Sequence, residues 1–372
     1  MHRNGPKLTN NYIMRSVALL AAAAIHTQIA HAESSSWFSR APEGEAAPKK
    51  TDVPKSQAPA PERMPASPIK PSTAKNAPAK NIIPNKVPLT GDDAAYLAFD
   101  QGQYLTALKL AQEAAARGEP QAHTLIARIY AEGLGVPKDE KAAVLSYTRA
   151  SELGDVAGTF ALGLMFAEGR GVEKNRLRAA ELFEQAARTG HAEANYNLGL
   201  LFLKGDGKPE NPIRAWQHIN YAAEKGIAQA QYDVAALYQT GTGVEANLLE
   251  AAKWLSRAAN QNLAVAQYDY AVLLLKGYGL TTDEPKAGSY MKAAAEKGIA
   301  GAQNRLAYLY LEGIGVEKSA VEASKWRFIA KRNGVVDDEL DKTIVKLSNT
   351  DQQKGQVAAA EWSDRIQVLP LQ

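Results

Sequence analysis

No cysteine occurs anywhere in the 372 residues. That absence excludes disulfides, thiolate metal centres, a cysteine nucleophile and lipidation at cysteine. Aromatic residues are sparse at 7%, so the core must be built mostly from aliphatic side chains and alanine. Long hydrophobic runs are missing as well. The apolar stretch Ser16 to Ile25 covers ten residues, whereas a helix needs about 20 to cross a bilayer. Nor is there a strong excess of either charge: 43 basic and 40 acidic residues leave a net +3. Even that small excess is local, because residues 1–90 hold 12 basic and 5 acidic side chains, leaving 31 basic and 35 acidic in 91–372. A mildly acidic main body offers no basic footprint for nucleic acid.

Proline and glycine are present and unevenly placed. Residues 1–32 have the layout of an export signal. Arg3, Lys7 and Arg15 precede the apolar run, and Ala30-His31-Ala32 supplies the A-x-A cleavage site. Met14 serves as well as Met1 for the start. Cleavage would place the protein in the periplasm or outside the cell, with no transmembrane segment left. Residues 33–90 contain eleven of the 18 prolines, mixed with Ala, Lys, Ser and Glu. Such a composition cannot bury enough apolar surface to offset chain entropy, so a disordered linker is expected. Its spaced lysines, Lys49 to Lys86, also suit a basic tether touching peptidoglycan or another anionic envelope surface. Ser72-Thr73-Ala74-Lys75 matches an S-x-x-K signature, but it lies inside this linker without companion motifs and is set aside.

Beyond residue 90 the chain repeats. A Gly-x-Gly element begins at Gly133, Gly169, Gly205, Gly241, Gly277 and Gly313, always 36 residues apart. A second mark recurs at Gly118, Gly154, Gly190, Gly226, Asn262, Gly298 and Gly334. Asn262 is the one replacement, and Asn is the other residue that tolerates the left-handed conformation of a helix terminus. Between the marks, Ala143, Ala179, Ala215, Ala251, Ala287 and Ala323 form a strictly small column, and Ala150 to Ala330 form another. Large apolar columns alternate with them, such as Ile126, Leu162, Leu198, Val234, Tyr270 and Leu306. The spacing 122, 126, 127, 130 predicts one helix over about 120–132, and 143, 147, 150 a second over about 139–153. One such hairpin cannot bury its own apolar faces, but a stack of them can.

The pattern is best seen in Ala230…Val234-Ala235…Tyr238…Gly241-Thr242-Gly243-Val244…Ala251…Trp254…Ala258-Ala259. It resembles the Sel1-like repeat, a relative of the tetratricopeptide repeat, over six units spanning 120–334. The third loop departs from the pattern, reading Gly205-Asp206-Gly207-Lys208-Pro209. The expected fold is all-α: a right-handed superhelical solenoid of six 36-residue hairpins with a cap at each end. Residues 91–119 form the first cap, a tetratricopeptide-like hairpin turning at Gly102. Residues 335–372 form the last, with Val345, Leu347 and Trp362 placed to cover the final hairpin. Some relatives carry a disulfide in each hairpin; this chain has only packing.

Chemistry is hard to find in the sequence. A phosphate cradle needs a preceding strand and a third glycine or Gly-Lys-Ser/Thr after the loop, and six equal Gly-x-Gly copies point instead to a structural turn. His123, His191 and His218 occupy different columns with no i,i+4 partner, so no metal site is expected, and surface or loop positions are their default. Carboxylates such as Glu132, Glu168 and Glu312 recur at repeat positions and look like solvated helix ends. No cofactor and no catalytic residue is nominated, and no enzyme activity is expected. The candidate site is the concave face that the first helices of such solenoids line. One column there runs Thr124, Phe160, Tyr196, Tyr232, Tyr268, Asn304, and another Arg128, Leu164, Leu200, Ala236, Val272, Tyr308, with Lys204, Gln239 and Lys276 at its end. The candidate binding residues are Phe160, Tyr196, Tyr232, Tyr268, Arg128, Tyr308, Lys204 and Gln239. Tyrosine offers a large rigid contact area with a polar tip. The same column would serve equally for packing between repeats, and the residues leave both readings open. The resemblance implies an adaptor that binds a protein or peptide, for exported members in envelope signalling or host interaction. The alternatives are binding of cell-wall fragments and, with no residue to carry it, hydrolysis of a wall or β-lactam substrate.

Overall fold

A computed structural model describes residues 91–368, and every regular element in that span is an α-helix. The export signal, the linker and the last four residues lie outside the described residues. The first hairpin pairs α1 (Gly91–Asp100) with α2 (Tyr104–Ala116). Six hairpins follow: α3 (Pro120–Glu132) with α4 (Glu140–Glu152), α5 (Val156–Glu168) with α6 (Arg176–Arg188), and α7 (Ala192–Lys204) with α8 (Pro212–Glu224). Then come α9 (Ala228–Thr240) with α10 (Leu248–Asn260), α11 (Ala264–Lys276) with α12 (Glu284–Glu296), and α13 (Ala300–Glu312) with α14 (Ala320–Arg332). The described chain closes with α15 (Asp338–Val345) and α16 (Asn349–Val368). Each helix packs on its hairpin partner and on the next hairpin, as an all-α solenoid requires.

Local chemistry sets the length of each element. All first helices of the six repeats end on a left-handed glycine; Gly169, at φ +79°, donates its amide to Met165 O, and so does the following Arg170. The loop then closes by a second return bond, in which the Asn175 amide donates to Phe166 O at 2.9 Å. Asn175 also caps α6, its side chain accepting from the Arg178 amide at 2.9 Å. Asp139, Asn211, Asn247, Asp283 and Ser319 do the same at the other five second helices. Such caps contribute about 1 kcal/mol each, and here they fix the start of every second helix in register.

The second glycine of each loop answers to a different demand. In the first loop it is Gly135, which faces Tyr104 Cβ. In the second to sixth loops it lies against the first-turn carbonyl of the preceding hairpin's second helix: Gly171 on Glu140 O, Gly207 on Arg176 O, Gly243 on Pro212 O, Gly279 on Leu248 O and Gly315 on Glu284 O. A methyl group at any of these places would fall within the carbonyl's van der Waals surface. The Gly-x-Gly element is thus a spacer that lets neighbouring hairpins approach backbone to backbone.

The small columns do the same inside the stack. Ala143, Ala179, Ala215, Ala251, Ala287 and Ala323 are completely buried. At Gly163 and Gly199 an added methyl would sit 2.6 Å from Phe183 and 2.6 Å from Ile219, the large residues that fill the space instead. Those two belong to a buried column, Tyr147, Phe183, Ile219, Leu255 and Met291. Its last member is Arg327, a cation only 1% exposed. Arg327 Nε donates to Asp341 at 2.7 Å, and its Nη1 donates to Asn304 at 2.9 Å and to the Val335 carbonyl at 3.1 Å. A buried charge is tolerated only when its donors are matched in this way, and the match ties α15 to the last repeat.

The end of the stack is covered by α16, which lies along α14 so closely that a methyl on Gly355 would sit 2.5 Å from Ser324 Cβ. Leu347 and Trp362 pack onto the core as the sequence suggested, but Val345 is 71% exposed. The inward positions of α15 belong to Leu340 and Ile344, one turn apart, which turns Val345 outward. In the aberrant third loop, Lys208 replaces the packed Val172 or Val244 of its neighbours and pairs with Glu184 at 2.9 Å.

The two loop glycines are expected to differ in cost. Gly241→Ala should lose only the left-handed preference, about 1 kcal/mol, since its nearest neighbour is Ala246 Cβ at 3.4 Å. Gly243→Ala adds the collision with Pro212 and should lose roughly 1–3 kcal/mol more. Urea unfolding midpoints compare the two, and equal midpoints would disprove the spacer role.

Candidate functional site

The eight candidate residues do not converge on one point. They lie along six successive first helices: Arg128 on α3, Phe160 on α5, Tyr196 and Lys204 on α7, Tyr232 and Gln239 on α9, Tyr268 on α11 and Tyr308 on α13. What each does depends on its column.

The column from Thr124 to Asn304 reaches from each repeat into the next. Thr124 donates to Asp155 at 2.5 Å, and the Phe160 ring packs on His191 with centroids 4.7 Å apart. Tyr196 donates its phenol to Asp233 at 2.8 Å, and Tyr232 does the same to Asp269 at 2.8 Å. The Arg305 guanidinium lies over the Tyr268 ring at 5.3 Å, and Asn304 donates to Asp337 at 2.7 Å. All six side chains are ties between hairpins. Tyr196 and Tyr232 are 3% and 8% exposed, so little of either ring reaches solvent. Asp233, Asp269 and Arg305 are the receiving ends of these ties.

The remaining candidates face outward to different degrees. Arg128 is exposed, its guanidinium 4.7 Å from the Phe99 ring centroid and 3.0 Å from Glu132. Lys204 is exposed at the end of α7, and Gln239 is half-buried on α9. Tyr308 is half-buried and donates to Asp337 at 3.0 Å. Between them runs the second column. Leu164, Leu200, Ala236 and Val272 are all half-buried, as are Leu203 and Leu275 beside them. The first helices therefore present a repeating apolar row over a floor of tied side chains.

Burial shapes the electrostatics. It pushes the Tyr196 and Tyr232 phenols well above the ordinary range, reinforced by the carboxylates they face. Burial also pushes the Asp233 carboxyl up to about 6, against the lowering effect of hydrogen bonds from Tyr196 and Gln229. His218 is neither a surface nor a loop residue: it stacks on Phe202 at 5.7 Å, its Nδ1 is 2.9 Å from Asn195 Oδ1, and burial lowers its pKa. His191 caps α7, its Nδ1 accepting from the Ala194 amide at 3.2 Å. Among the described residues no group of three or more metal-ligating side chains comes together. No helix among them is long and apolar enough to cross a membrane.

One functional column escaped the sequence reading. Asn195, Gln231, Gln267 and Gln303 are buried amides 36 residues apart. Gln231, Gln267 and Gln303 donate to carbonyls in the last turn of the preceding helix, Gln303 to Ala295 O at 3.1 Å. They accept in turn from the end of the second helix of their own hairpin, through Gln261 at 2.8 Å, Lys297 at 3.0 Å and Asn333 at 2.7 Å. The periodic amide was the available signal; its partners, 30 residues away, were not visible as a pair.

The Sel1 repeat model matches residues 120–155, 156–191, 192–227, 228–263, 264–299 and 300–326. The chain belongs to the Sel1-repeat family. Sel1-repeat proteins are generally scaffolds for protein interaction, and the fold is typically non-catalytic. Among solved structures, the chain is similar to a Sel1 repeat protein from Oxalobacter formigenes, at 29% identity and a TM-score of 0.57, covering 66% of this chain and 98% of that one. It is also similar to c5321 of uropathogenic Escherichia coli, a protective antigen displaying an SLR fold, at 24% identity and a TM-score of 0.49, covering 76% of this chain and 71% of that one. No curated protein matches the chain.

Asp233 offers a direct check on the ties. Its carboxyl should titrate near pH 6 in the folded protein, read by carbon NMR, well above the 3.8 of an ordinary Asp. Between those values the native state holds more proton than the unfolded chain, so this group makes stability fall as pH rises. Tyr196→Phe removes a lowering hydrogen bond and should move the midpoint higher still. A midpoint near 4 in the wild type, or a downward move in the variant, would refute the tie.

Proposed function

We propose that this Sel1-repeat protein is a non-catalytic adaptor that holds a protein or peptide partner against the face of its first helices, in the bacterial envelope or outside the cell. The observation that carries the reading is the row Leu164, Leu200, Ala236 and Val272, each partly buried and partly open on four consecutive first helices. Accessible apolar groups at fixed spacing suit a partner helix or extended segment, which buries them and gains orientation from polar groups at the rim. Lys204 and Gln239 stand at that rim. The stacking ties beneath keep the row rigid, so little ordering entropy opposes binding. The envelope assignment rests on the export-signal layout of residues 1–32, and regulation of a signalling or envelope protein is the role that suits it.

The alternative, contact with peptidoglycan, is favoured by the basic, Pro-rich stretch 33–90 and belongs to that stretch rather than to the solenoid. Co-sedimentation with purified peptidoglycan that residues 91–372 alone reproduce would reject the tether version.

A photo-crosslinker placed at Ala236 or Gln239 should capture one defined envelope protein in the native host. Leu200→Asp with Val272→Asp should reduce that capture at least about tenfold, as expected when two buried apolar contacts become charged, while helical circular dichroism stays unchanged. Undiminished capture by the double variant would remove the assignment of this face.

A further inference from the structure

The last two repeats and the closing helix enclose a cleft of about 480 Å³ that the first-helix face does not include. We infer that this cleft is a second binding site, for an acidic peptide carrying an aromatic side chain. One wall is an indole pair: Trp326 of α14 and Trp362 of α16 meet edge to face with centroids 5.5 Å apart. Trp326 is 1% exposed and held rigidly, its Nε1 donating to Glu322 at 3.1 Å. Glu322 is further matched by Lys325 at 3.0 Å, so that carboxylate and that ammonium neutralise each other.

The other charged groups of the lining are not matched so well. Lys292 and Glu296 of α12 approach only to 4.0 Å. Arg365 of α16 is exposed and makes no ion pair among the described residues; its Nε donates to the Glu361 carbonyl at 3.3 Å within its own helix. The Tyr310 hydroxyl of α13 makes no hydrogen bond among the described residues, and burial together with Glu322 and Glu296 raises its pKa, which keeps it a neutral donor. Lys292, Lys325 and Arg365 outnumber Glu296 and Glu322 in the lining by one, and the surplus guanidinium, with the neutral phenol beside it, seeks anionic oxygen. The partly buried Trp362 indole, backed by a Trp326 ring that Lys325 covers, offers a flat apolar group its contact at the same time. A volume within the range of ordinary ligand clefts accommodates both in one small segment. The combination arises only because α16 returns over α14, bringing Trp362 and Arg365 to residues of three earlier helices.

The test uses the full-length protein and two probes, acetyl-Phe-Glu-Glu-amide and acetyl-Phe-Lys-Lys-amide. In nitrogen–proton correlation spectra, the acidic probe should shift the Trp362 indole resonance saturably and the basic probe should not. Arg365→Glu, an exposed change that leaves the packing intact, should weaken the acidic probe roughly tenfold to a hundredfold, the value of one charge-assisted contact. Arg365→Lys should retain part of the affinity. No saturable shift at millimolar probe, equal response to both probes, or unaltered affinity in Arg365→Glu would each overturn the proposal. So would preference for chitotriose over the acidic peptide, which would make the indole wall a sugar platform.

Discussion

From the second repeat onward, each hairpin meets its predecessor where the second glycine of its loop touches the first-turn carbonyl of the preceding second helix. That contact leaves no room for a side chain. Everything else in the stack is arranged around it. The alanine columns must be small because the backbones are already this close, and the large residues, Phe183 and Ile219 among them, must fill the spaces that Gly163 and Gly199 leave. With no disulfide to hold the hairpins, the stability of the chain is a sum of these junctions, repeated at 36-residue intervals.

Polar groups refine what packing begins. The phenol-to-carboxylate ties and the amide donations to the preceding helix run between repeats, while the amide oxygens accept within their own hairpin. Each satisfies atoms that would otherwise be buried without partners, and that is why they can be afforded in a core. They also choose one register: a hairpin shifted along its neighbour would keep much of its apolar contact but would lose the bond from Tyr196 to Asp233 or from Gln303 to the Ala295 carbonyl. The raised carboxyl of Asp233 is the electrostatic cost of that choice.

A solenoid made this way has two kinds of surface. The first-helix face repeats, so it is suited to a long partner that meets the same chemistry every hairpin. The closing end does not repeat. There Arg327 takes the place of a core hydrophobe and pins α15, and α16 folds back to build a cleft with its own aromatic wall. The two proposed sites, one along the first-helix face and one at the closing end, thus rest on separate chemistry.

The local elements were legible in the residues. Left-handed glycines and the apolar spacing set helix ends within a residue of their places, and Asn262, with φ +65°, does what Gly does in the other units. These features depend on neighbours in sequence, and recurrence six times over removed the ambiguity that a single copy would carry. The side-chain columns were legible too, but their use was not. Whether Tyr232 faces a ligand or a neighbouring repeat depends on the distance to Asp269, 37 residues away, and spacing along a chain does not state a distance through space. The cleft was least legible of all, since Trp362 and Arg365 acquire their partners only when α16 packs on α14. Sequence by itself determined the repeat, its caps and its small columns, because these follow from backbone conformation and local hydrogen bonding. Only the tertiary structure decided which side chains are consumed in stacking and which remain open, because that division is made by the close approach of backbones far apart in the chain.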